Sequence, residues 1–100
     1  MTPFQSVTTM KFEWDKNKRG ENLRKHGIDF ADVWRVFENE IDVVVDDRFD
    51  YSETRYFALG LLFGRVVAVS YTETDEIRRI ISVRKGGKND EEKYFRNIAN

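Results

Sequence analysis

The stretch TRYFALGLLFGRVVAVSYT, residues 54–72, decides the fold. Two runs rich in β-branched and aromatic residues, Thr54 to Phe63 and Arg65 to Thr72, meet at Gly64 with almost no chain between them. Such a pair folds back on itself as a β-hairpin, with glycine supplying the positive φ of the tight turn. Working outward, Glu73 to Glu76 reads as a polar turn and Ile77 to Arg84 as a further strand, broken by Gly86 and Gly87. Upstream, Ile41 to Val45 reads as a strand, followed by an acidic turn region from Asp46 to Asp50.

The flanks are helical. Asp29 caps a segment in which Phe30, Val33, Trp34 and Phe37 fall at i, i+3, i+4 and i+7, the stripe of an α-helix packed on a sheet. Before it, Asp15 caps a poorly apolar helix from about Lys16 to His26, with Gly27 placed as its left-handed stop. Phe12 and Trp14 alternate with charged residues as a short strand or an extended anchor. Asn89 or Asp90 begins a last helix carrying Tyr94, Phe95 and Ile98. Helices and hairpin-linked strands are segregated along the chain, which predicts an α+β fold: two N-terminal helices, a three- to four-stranded antiparallel sheet and a short C-terminal helix. Residues 1–10 lack any period and read as an extension; residues 11–100 read as one domain.

Composition narrows the function. The 100 residues contain no Cys, which excludes thiolate chemistry and disulfides and suits a reducing cytoplasm. No apolar run approaches the ~20 residues that span a bilayer. His26 is the only histidine, so neither a two-histidine nuclease site nor an ordinary zinc site is expected. The carboxylates Asp42, Asp46, Asp47, Asp50 and Glu53 lack calcium-loop spacing and read as a solvated acidic turn. No metal and no cofactor is expected. Net charge is only −1, but it is unevenly spread: residues 11–26 carry +3, 29–53 carry −7 and 54–88 carry +4. A basic helix and a basic sheet margin then share one face.

Arginine is the chemistry that remains. Strict alternation puts Arg78, Ile80, Ser82 and Arg84 on one face of the last strand and Arg79, Ile81 and Val83 on the other. Arg55 and Arg65 begin the two hairpin strands. Taken singly, each arginine also fits an ion pair with Glu53, Glu73 or Glu76. Taken together they form a set of fixed planar donors suited to phosphate. Glu53 lies at a strand entrance, two residues from Arg55. It suits a base that withdraws the proton of a ribose 2′-hydroxyl. His26 fits a helix-end cap as well as an RNA contact.

Phe12-x-Trp14-Asp15, Lys18, Asn22, Lys25-His26-Gly27, Phe30-Ala31 and Val36-Phe37 resemble the amino-terminal signature of the BrnT family. Glu53-x-Arg55, Gly60, Gly64-Arg65, Val69, Tyr71-Thr72 and Arg79-Ile80-Ile81-Ser82-x-Arg84 continue it, and Tyr94 fits the aromatic of its final helix. The resemblance covers residues 11–95. It implies a RelE-like fold and a cytoplasmic ribonuclease toxin of a toxin–antitoxin pair. The implied partner is a BrnA-type antitoxin whose ribbon-helix-helix portion binds operator DNA, with toxin dimers inside the complex. Glu53, Arg65, Arg79 and Arg84 are then the expected catalytic set, and Lys25, His26, Arg55, Lys85 and Tyr94 the expected RNA contacts. The competing reading is a non-catalytic module that only holds the antitoxin and acts as co-repressor.

Overall fold

The computed structural model describes residues 10–48 and 52–99. In chain order the elements are β1 (Lys11–Trp14), α1 (Lys16–His26), a 3₁₀ helix (Phe30–Glu38), β2 (Asp42–Asp46), β3 (Arg55–Leu62), β4 (Arg65–Glu73), β5 (Ile77–Lys85) and α2 (Lys88–Ala99). The hairpin forms where the sequence places it. Leu62 faces Arg65, and Phe63 (φ 52°) and Gly64 (φ 81°) both adopt the left-handed conformation of a two-residue turn. The segment expected as an extension lies, apart from Met10, outside the described residues.

The sheet has five strands in the order β1-β5-β4-β3-β2. It is mixed, which corrects the expectation of three or four antiparallel strands. β1 runs parallel to β5, with Phe12 beside Arg78 and Trp14 beside Ile80. The alternation of Phe12 and Trp14 marks the strand, but its partner lies more than sixty residues away and leaves no local signal. Both aromatics turn inward, Phe12 onto Phe37 (5.7 Å) and Trp14 onto Phe30 (6.4 Å).

The second helix also departs from expectation. It is 3₁₀, with i→i+3 bonds such as Asp32 N–H to Asp29 C=O at its start and Asn39 N–H to Val36 C=O at its end. At three residues per turn the buried row becomes Phe30, Val33 and Val36, and Trp34 swings out to 42% exposure. The stripe Phe30, Val33, Trp34, Phe37 holds for an α-helix and fails at Trp34 for this geometry. Gly60 in β3 admits the helix: a Cβ there would stand 2.6 Å from a Val36 methyl.

Helix α1 has its expected caps. Asp15 accepts from Asn17 N–H (2.7 Å), and Gly27 (φ 72°) donates to Leu23 C=O (2.9 Å). A buried amide ties it to the sheet. Asn22 Nδ2 donates to Val83 C=O (2.9 Å) and Ile28 C=O (3.0 Å), while its Oδ1 accepts from Val83 N–H (3.2 Å). β1 pairs with β5 only from Ile77 to Ile80. Beyond that point Asn22 does for the strand edge what another strand's backbone would do.

The helices α1 and 3₁₀ lie on one face of the sheet, over Ala58, Val67, Val69, Tyr71, Ile80 and Val83. Helix α2 covers part of the other face, where Tyr94 and Ile98 meet Leu59, Val66, Ala68 and Phe57. Ile80 and Val83 are both buried on the first face although three residues apart. The register explains this: Ser70 faces Ser82, but Tyr71 faces Ile80, so Ile81 is an extra residue, a β-bulge.

Phe30→Ala is expected to cost roughly 3–5 kcal/mol of stability, and Trp34→Ala less than half as much, measured by denaturant unfolding. Equal losses would contradict the 3₁₀ row. Asn22→Leu, which strands both backbone groups of Val83, is expected to cost about 3 kcal/mol despite its added apolar volume.

Candidate RNA-directed face

Because Ile81 is an extra residue, alternation restarts after it. Arg78 and Lys85 join the helix-covered face, while Arg79, Ser82 and Arg84 share the face that α2 covers only in part. The expectation that Arg79 and Arg84 stand on opposite faces is therefore corrected. Pairing arranges this face in cross-strand rows. Asp46 faces Arg55, Thr72 faces Arg79, and Arg79 faces Glu13; Arg55 stands one step past the Tyr56–Tyr71 pair, opposite Thr72. The next row is Val44, Phe57, Ser70 and Ser82, and the third is Asp42, Leu59, Ala68 and Arg84. The first row lies beyond the cluster that α2 forms with Leu59, Val66 and Ala68, and Phe57 of the second row borders it.

Arg79 and Arg84 are each held by a carboxylate. Arg79 meets Glu13 at 2.8 Å, and Arg84 meets Asp90 at 2.9 Å. Arg84 also lies 5.8 Å from the Phe57 ring centre. Asp90 is not the helix cap expected from sequence but the third residue of α2, reaching back to Gly87 N–H (2.9 Å) as in a capping box. That N–H and the Arg84 guanidinium hold its carboxyl below the usual carboxylate range. Arg79 and Arg84 stand opposite Thr72 and Ala68, four positions apart on β4 or about 13 Å of strand. Ser82, opposite Ser70, lies between them on the same face.

The other expected residues fall into three places. Lys25 and His26 join Lys18 in a groove that α1 forms against Ile81 and Ser82, at the margin of this face. Arg65 and Lys85 stand away from it. They line a groove on the opposite side with Asp29, Asp32 and Phe63. Tyr94 is 2% exposed, and its hydroxyl donates to Glu40 C=O (3.0 Å), so it is a core residue of α2. Glu53 is exposed just ahead of β3, two residues from Arg55. Arg78 is structural: it sits 4.1 Å from the Phe37 ring centre, between Phe12 and Tyr71, and binds Glu73 at 2.7 Å. Burial pushes the Tyr71 phenol up to about 12.

Sequence reasoning missed Phe57, Glu13 and Asp90. The adjacent aromatics Tyr56-Phe57 in a strand carry a usable signal, since alternation must place one on each face. Among the described residues no three His, Cys, Asp or Glu side chains group closely enough to hold a metal ion. None of their helices is long and apolar enough to cross a membrane.

These features define a small α+β protein with a partly open sheet face built of arginines, serines and one aromatic ring, a surface suited to a phosphodiester chain. The chain belongs to the BrnT family, the ribonuclease toxins of type II toxin–antitoxin systems, whose sequence model matches residues 14–91. It is similar to the crystal structure of the Brucella abortus ribonuclease toxin BrnT. Identity is 34%, the match covers 80% of this chain and 100% of that one, and the TM-score is 0.62. Comparison with curated proteins gives no match.

The Asp90 contacts predict a pH dependence. A carboxyl with a lowered native pKa stabilises the fold above its unfolded pKa, and that contribution is lost as pH falls through the native value. Asp90→Asn is therefore expected to lower Tm at pH 7 and to flatten the fall in Tm below about pH 4. An unchanged acid limb would show that Asp90 contributes nothing to it.

Proposed function

We propose that this toxin is an endoribonuclease that cleaves RNA without a metal, by internal transesterification, on the face bearing Arg79 and Arg84. The supporting observation is the Ile81 bulge, which puts both guanidiniums on one face with Ser70 and Ser82 between them. The scissile phosphate lies over the serines. The ribose 2′-oxygen attacks phosphorus, the 5′-oxygen leaves and takes a proton from water, and the arginines stabilise the charge that builds on the phosphorane. An arginine has five donors, so each can bind phosphate while keeping part of its hold on Glu13 or Asp90. Glu53, beside Arg55, takes the 2′-hydroxyl proton. Glu13, in contact with Arg79, is the rival for that role. Lys25 and His26 guide the RNA along the α1 margin, and Arg55 extends the cationic row. Arg65, Lys85 and Tyr94 take no part at this face.

In the same reading the toxin works in the cytoplasm and is neutralised by a BrnA-type antitoxin. The antitoxin's ribbon-helix-helix portion binds operator DNA, and the complex contains toxin dimers. The carboxylates of strand β2 and Asp47 repel an RNA backbone and suit a basic antitoxin segment.

Purified protein incubated with RNA in EDTA is expected to give 2′,3′-cyclic phosphate ends. Arg79→Lys and Arg84→Lys keep the charge but lose the planar fork, and each is expected to slow cleavage ~10²–10³-fold with the fold intact. Glu53→Gln and Glu13→Gln, compared, identify the base. Full cleavage by both lysine variants would remove the reaction from this face. Absence of any cleavage would leave the antitoxin-holding module in its place.

A further inference from the structure

We infer that the cleft beside Arg84 is a nucleobase subsite that selects guanine next to the cleaved bond. The inference rests on the reading of the arginine face as the RNA-cleaving surface. The cleft, about 310 Å³, opens between the end of β2 and the middle of β3, with Val44 and Phe57 as apolar walls and Arg84 at its rim. That volume is at the small end of ligand pockets, roughly 300–1,000 Å³, and suits one base with part of its sugar.

Three features point to a base. The first is Phe57, in the row between Val44 and Ser70, which lies partly buried in the cleft wall. An aromatic ring beside an arginine on an RNA-facing sheet is a stacking platform, since every base offers a π-face. The second is position. Arg84 borders both the cleft and the Ser70–Ser82 stretch where the phosphate is placed, so a base in the cleft belongs to a nucleotide adjoining that phosphate.

The third is the polar wall. Arg48 binds Asp46 through two bonds, 2.8 and 2.9 Å, which fixes that guanidinium and occupies that carboxylate. Asp47 also lines the cleft and is exposed. A carboxylate is an acceptor only, so it prefers a base edge that presents two adjacent N–H donors. Guanine offers N1–H beside N2–H. Adenine and cytosine each set an acceptor next to their amino group, and uracil sets its one N–H between two carbonyls. The exposed Asp47 carboxylate disfavours a phosphate at its own wall and leaves that wall to the base.

The test uses oligoribonucleotides carrying a single guanine or a single adenine at each position in turn. The wild-type protein is expected to cleave beside guanine with kcat/KM at least ~10-fold above adenine, and Asp47→Asn to bring that ratio to about 1. Phe57→Leu, which keeps an apolar side chain but removes the ring, is expected to raise KM roughly 10-fold, with Phe57→Trp restoring it. A readout independent of cleavage is titration with guanosine 5′-monophosphate. It is expected to shift the backbone amides of Val44, Asp47 and Phe57, and uridine 5′-monophosphate to shift them less. A guanine preference that survives Asp47→Asn, or nucleotide titrations that leave these amides unmoved, would overturn the subsite while leaving the arginine face as the nuclease surface. Shifts with guanosine monophosphate in a protein that cleaves no RNA would uphold the base site and overturn the nuclease reading.

Discussion

A β-strand alternates its side chains between two faces, and β5 obeys that rule on either side of Ile81 but not across it. The extra residue lets Ile80 and Val83 both enter the core under the helices, and the same phase change carries Arg84 to the side of Arg79. Core packing and the placement of both arginines are thus set by one irregularity. Apolar residues at 80 and 83 would conflict in a regular strand, since one of them would face water. The bulge relieves that conflict, and the arginine pairing follows from it.

The remaining elements support this arrangement from both edges. On one side Asn22 takes over the backbone bonds of Val83, and Arg19 clamps Asp29 with two bonds of 2.7 and 3.0 Å, tying α1 to the start of the 3₁₀ helix. That pairing and the Ala31 N–H hold the Asp29 carboxyl below its usual range. On the other side, α2 shields the far half of the open face and delivers Asp90 to Arg84. Arg78 shows the same residue type in a different role. Enclosed by three aromatic rings and bound to Glu73, it is part of the core, and Arg79 next to it faces outward. Adjacent arginines in the sequence take opposite parts because adjacent strand residues take opposite faces.

Much of this was legible before any coordinates. The Gly64 hairpin, the Asp15 and Asp29 caps, the Gly27 stop and the strand at Ile77 all rest on short-range chemistry, and all are found within a residue or two of their expected bounds. What local pattern does not carry is register. The parallel pairing of β1 with β5 and the extra residue at Ile81 depend on which distant residues meet. The 3₁₀ geometry is a related case: Phe30, Val33 and Val36 fit a period of three as well as Phe30, Val33, Trp34 and Phe37 fit 3.6, and only contact with β3 at Gly60 separates them. The candidate site shows the same division. The arginines were visible as a set, but their division between faces was not. Tyr94 was visible as an aromatic, but its burial was not.

The bonds between Asn22 and Val83 join residues 61 positions apart, and β1 closes over a similar span. Contacts of such separation come late and slowly in folding, because loop entropy must be met before they form. As the chain leaves the ribosome, its first third has no completed sheet to dock against until β5 has emerged. The arginine face therefore cannot assemble on a growing chain, because Glu13, Arg55, Arg79 and Arg84 share one surface only after the last strand is in place. On the proposed assignment of that face, the cutting surface exists only once the whole fold is complete.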